Sequence, residues 1–114
     1  EYNKYLKIGD RLKTIVKVPV VSIDSVISKY CGNRMPDFLS IDAEGLDFEI
    51  LQQINFEYLR PKVICVESSN HSPDGVGSKR VDLINYIVDN EYFEYGCTWL
   101  NSIFVDKRWF FENK

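Results

Sequence analysis

Residues 37–51 run from a short apolar stretch, Phe38-Leu39-Ser40-Ile41, through an acidic turn, Asp42-Ala43-Glu44-Gly45, into a pattern with helical spacing. After Asn55-Phe56-Glu57-Tyr58-Leu59-Arg60-Pro61-Lys62, a second apolar run, Val63 to Val66, ends in Glu67. Two short apolar strands separated by a helix argue for parallel neighbours in one α/β sheet, the helix serving as the crossover that parallel strands need. Both strands then end in a carboxylate at the same edge. That is the edge at which open α/β sheets place their ligands.

The rest of the chain extends the pattern. Thr14 to Val21 is rich in Val and Ile and predicts a strand, with Pro19 placing it at an edge or a strand end. Ser22 offers an N-cap, Ile23, Val26, Ile27 and Tyr30 recur at helical spacing, and Gly32-Asn33 followed by Pro36 stops the helix. Leu46, Ile50, Leu51 and Ile54 mark the buried face of the next helix, whose first turn is expected to carry Glu44 and Asp47. Val63 to Val66 is apolar throughout, which predicts a central strand covered on both faces. Ser68 to Lys79 reads as a polar loop, and Val81, Ile84, Ile87 and Val88 line a helix ending near Asn90. Tyr92 to Trp99 and Ser102 to Val105 read as a closing antiparallel hairpin. The fold class is α/β, with parallel strands and an antiparallel C-terminal hairpin.

At 114 residues, with 45% hydrophobic and 27% charged side chains, the chain is expected to form a single domain over residues 1–114. Lys and Arg number 14 against 17 Asp and Glu, a net charge of −3 with no long basic run, which argues against nucleic acid as a partner. The cysteines Cys31, Cys65 and Cys97 are far apart and fit no Cys-x-x-Cys pattern, so a reduced, cytoplasmic protein is expected. No apolar run reaches the ~18 residues that cross a bilayer, and the polar start has no signal-peptide layout.

Several side chains qualify for chemistry. Asp42 ends the first apolar strand and can serve as general base or aligning group, or it can cap the following helix; Glu44 is open to the same two readings. Gly45 lets the backbone pass close to a ligand or enter a tight helix start. Glu67 can bind a substrate hydroxyl or end its strand as a satisfied carboxylate. His71, the only histidine, suits a general base by its near-neutral pKa, or sits solvated in its loop. Asp74-Gly75-Val76-Gly77 fails as a phosphate loop, since Arg80 stands where a glycine is needed. Lys79 and Arg80 open the next helix and can meet an anionic substrate group or stand as a solvated basic pair, the solvated pair being the stronger reading. Trp99, Phe104, Trp109, Phe110 and Phe111 offer either a stacking platform or packing for the closing hairpin, packing being the stronger reading.

The ordered blocks Val20-Val21-Ser22-Ile23-Asp24, Asp42-Ala43-Glu44-Gly45, Arg60-Pro61-Lys62-Val63, Glu67 and Asn101-Ser102-Ile103-Phe104-Val105 resemble the FkbM family of S-adenosylmethionine-dependent methyltransferases, over roughly Lys17 to Val105. The resemblance implies part of a Rossmann-like class I methyltransferase sheet and S-adenosylmethionine as cofactor. It implies methylation of an oxygen on a sugar, glycan or secondary metabolite, with a small-molecule or glycan acceptor as partner. The glycine-rich cofactor turn of that fold is not found before Val16, so the chain is expected to be the C-terminal portion of the catalytic domain. The Phe38-to-Ile41 strand would then present an open edge suited to self-association. Two rival classes remain: a Mg-dependent hydrolase or phosphotransferase using Asp42, Glu44, Asp47 and Glu67, and a non-catalytic interaction module.

Overall fold

In the computed structural model, which describes residues 14–70 and 77–113, Ser22 begins the first helix as expected. Its hydroxyl accepts the Ser25 amide at 3.3 Å, α1 runs Ile23–Cys31, and Gly32 closes it in the left-handed region at φ 59°. The chain continues as β1 (Phe38–Ile41), α2 (Asp47–Gln52), β2 (Val63–Glu67), α3 (Val81–Asp89), β3 (Tyr92–Cys97), β4 (Asn101–Asp106) and α4 (Lys107–Glu112). No helix among the described residues is long and apolar enough to cross a membrane.

The described strands form one four-stranded sheet in the order β1-β2-β4-β3. β1 and β2 pair in parallel, with α2 as the crossover, and Phe38 is opposite Val63 and Ile41 opposite Val66. β4 inserts antiparallel between β2 and β3, pairing Ile64 with Phe104 on one side and Phe93 with Val105 on the other. A register shift between Glu94 and Gly96 bulges β3. The expected mixed sheet with β2 inside it is therefore present.

Strand alternation sends Ile41, Ile64, Val66, Phe104 and Tyr92 to one face, where they meet Leu51, Ile54, Phe56, Leu83 and Ile87 from α2, the segment after it, and α3. Each of these fully buried aliphatic side chains contributes about 1.5–3 kcal/mol of transfer free energy. Cover on both faces of β2 is not what is found: Val63, Cys65 and Glu67 alternate with the core residues and are only half-buried. The face they occupy is covered in part by α4, whose Phe110 packs edge-on against Phe93 at 5.1 Å.

Other expectations are corrected. Thr14 to Val21 forms no strand; its apolar side chains stand exposed, Val20 at 93%, since among the described residues no neighbouring strand supplies a ladder, and Pro19 brings no amide. On α1 only Ile27 is buried, and Val26 and Tyr30 face outward. On α3 Ile87 is buried and Ile84 half-buried as expected, but Val81 and Val88 are exposed and Leu83 takes the other fully buried position. Trp109, Phe110 and Phe111 lie on α4, a helix begun by Asp106, whose carboxylate accepts the Arg108 amide at 3.1 Å.

One end of the sheet is locked by an ion pair between a buried Asp106 and a half-buried Arg60. The Arg60 guanidinium donates twice to Asp106, at 2.7 and 3.1 Å, and also to the carbonyls of Phe56 and Asn90 at 3.0 Å. It lies over the Tyr92 ring at 4.9 Å, and the Tyr92 hydroxyl donates to the Pro61 carbonyl at 2.7 Å. The Asp106 hydrogen bonds raise the Arg60 pKa, and burial pushes the Tyr92 phenol well above its ordinary 10.0.

Candidate active site

The opposite end holds the carboxylates. Ile41 and Val66 form the last pair of the parallel ladder, so Asp42 and Glu67 are the next residues of the two strands. Because Ile41 and Val66 point into the core, strand alternation turns Asp42 and Glu67 toward the other face. Asp42 is exposed and Glu67 half-buried.

Between Asp42 and α2 the chain makes a tight turn, closed by the Leu46 amide donating to the Ala43 carbonyl at 3.2 Å. Both central residues are left-handed, Glu44 at φ 48° and Gly45 at φ 100°. A glycine takes such a value without penalty, whereas a glutamate does not, so the turn needs support elsewhere. Asp47 provides it. Its two carboxylate oxygens accept the amides of Ala43 and Gly45, at 3.1 and 3.2 Å, and its side chain is 1% exposed. α2 thus begins later than expected: Glu44 and Gly45 precede it, Leu46 holds the N-cap position without a side-chain cap, and Leu46 is 60% exposed instead of buried. The capping role considered for Asp42 is not observed, and the nearest side-chain clamp belongs to Asp47.

Beyond β2, Ser68 and Ser69 are buried and hold the β3–β4 turn by its carbonyls. The Ser68 amide donates to Leu100 O at 2.9 Å and the Ser69 hydroxyl to Trp99 O at 2.9 Å. Lys79 is drawn into the same corner, donating to the Ser68 hydroxyl at 2.9 Å, and Ser68 contacts the Ser102 hydroxyl at 2.6 Å, which donates to Glu94 at 2.5 Å. Lys79 and Arg80 are therefore not a solvated pair. Both are half-buried, with Arg80 lying 6.0 Å from the Phe48 ring centroid. Antiparallel bonds from Asn70 to Ser78 and from Arg80 to Ser68 close the neck of the intervening loop. Gly77 is required there, since a Cβ would lie 1.8 Å from the Asn70 carbonyl oxygen. Trp99, at the tip of the hairpin, is exposed and not part of the core. His71 and the Asp74–Val76 stretch lie outside the described residues.

The structure therefore brings Asp42, Glu44, Gly45 and Glu67 to one end of two parallel strands. Asp47, counted in sequence among metal ligands, spends both oxygens on the turn. Among the described residues no group of three or more His, Cys, Asp and Glu side chains is arranged to hold a metal ion. What the sequence reading missed is Asp47 as a clamp and the Ser68–Ser102–Glu94–Lys79 network. The signal for the first was an Asp two residues after a Glu-Gly pair, the spacing at which a carboxylate reaches back to a turn amide.

Comparison with known proteins agrees with this geometry. A family model described as the methyltransferase FkbM domain matches residues 2–97. No curated protein and no solved structure matches the chain.

Proposed function

Since the chain belongs to the FkbM methyltransferase family, we propose that it serves an S-adenosylmethionine-dependent methyl transfer to an acceptor oxygen, on a sugar, a glycan or a secondary metabolite. The observation that carries this reading is the register of β1 and β2, which sets Asp42 beside Glu67 at the carboxyl ends of a parallel pair. In this reading the sheet belongs to a Rossmann-like class I methyltransferase domain.

The donor set fits one part of the cofactor and not another. Asp42, Glu44 and Glu67 offer carboxylate oxygens, suited to hydroxyls and to a positively charged sulfonium. The anionic methionyl carboxylate needs donors, and the turn amides of Ala43 and Gly45 are already taken by Asp47. When bound, S-adenosylmethionine supplies an electrophilic methyl carbon. The chain's own residues would orient the acceptor: Glu67 accepts a hydrogen bond from one hydroxyl, while Asp42 accepts the proton of the oxygen that becomes methylated. Glu44, presented by the turn, lines the same mouth. We also propose that β1 is an association edge, because it pairs only with β2 among the described strands and leaves Phe38 57% exposed.

Calorimetric titration of S-adenosylmethionine and S-adenosylhomocysteine tests the reading, in this chain and in a form extended upstream, each with Asp42→Asn. Saturable binding in at least one form supports it. Absence of binding in both forms removes the cofactor assignment.

A further inference from the structure

We propose that Asp47 is a positioning residue of this site, one that touches no ligand but fixes the directions in which Asp42 and Glu44 leave the backbone; its functional part rests on the methyltransferase reading. A carboxylate as buried as Asp47 ordinarily requires a cation, and among the described residues no Lys, Arg or His forms an ion pair with it. What satisfies it instead is the pair of amides at Ala43 and Gly45, one on each oxygen. Those amides flank Glu44, the non-glycine residue held at φ 48°. The grip is thus centred on the residue that would otherwise relax, and Asp42 is bonded directly to the gripped Ala43.

The geometry makes specific demands. Both acceptors must be oxygens, so an asparagine can keep only one amide and turns its own NH₂ toward the other. Gly45 has open space at its Cβ position, so Gly45→Ala strains the same turn through φ 100° without a packing clash.

The test follows the amide resonances of Ala43 and Gly45 by NMR as a function of pH in the full chain. Both are expected to shift together as Asp47 is protonated. That shared titration should vanish in Asp47→Asn and survive in Asp42→Asn and Glu44→Gln, the neighbouring carboxylates. Methyl transfer at saturating donor is expected to fall tenfold or more in both Asp47→Asn and Gly45→Ala, with the midpoint for S-adenosylhomocysteine binding changed less than the rate. Amides indifferent to Asp47→Asn would overturn the proposal, as would a wild-type rate in a variant whose amides have moved. If neither the wild-type chain nor its upstream-extended form binds S-adenosylhomocysteine or transfers methyl, the methyltransferase reading fails, while the shared titration still decides whether Asp47 holds the turn.

Discussion

The two ends of the sheet solve the problem of charge in opposite ways. At the end where β4 finishes and β3 begins, the buried Asp106 is paired with a half-buried Arg60 that also donates to two carbonyls and lies over the Tyr92 ring. At the end where the parallel strands finish, Asp42 and Glu44 are exposed, and a left-handed turn is maintained to present them. An arrangement that spends polar groups on one another contributes to the fold. One that keeps carboxylates unburied on a strained support leaves them available to a ligand.

Breaking the locked end has the largest expected effect. Asp106→Ala leaves the half-buried Arg60 charged and without its carboxylate, and a loss of about 2–4 kcal/mol is expected in urea unfolding. Tyr92→Phe removes only the bond to the Pro61 carbonyl, at a cost of about 1–2 kcal/mol. The same tyrosine predicts the pH response. Its native pKa is raised, so its contribution is complete below the unfolded value of 10.0 and is lost as pH climbs through the native value. Arg60, also raised, acts in the same direction. Thermal melts should therefore fall steeply above pH 10.0, and less steeply in Tyr92→Phe.

Effects at the acidic end should be smaller for stability and larger for activity. Gly45→Ala is expected to cost about 1–2 kcal/mol through its positive φ alone. Asp42→Asn, at an exposed position, should stay within about 0.5 kcal/mol of the parent. The weakest effect concerns the β1 edge: light scattering should show association that rises with concentration and falls when Phe38, exposed there, becomes Lys. A monomer at every concentration would remove that proposal.

Much of this contrast was legible in the sequence. β1 and β2 were readable because each is a short apolar run with a carboxylate behind it, and α1 because Ser22 and Gly32 bracket it with strong local signals. The family resemblance gathered the separated blocks, and the match over residues 2–97 agrees with it. The segment from Thr14 to Val21 misled because strand formation depends on a neighbour, which composition does not report. α4 was missed because its aromatic residues read equally well as sheet packing, and the Asp106 cap was hidden behind its part in the ion pair. Asp47 escaped because acids at a helix start normally complement the dipole, whereas this one turns back on the preceding turn.

The most direct test is transfer of an isotopically labelled methyl group from S-adenosylmethionine to a panel of sugar and hydroxylated aromatic acceptors, comparing the parent protein with Asp42→Asn at matched melting temperature. The account predicts that the variant melts like the parent and transfers about 10²-fold more slowly or worse. Transfer at the parental rate by a well-folded Asp42→Asn protein would contradict it, and would place the chemistry away from the parallel strand ends.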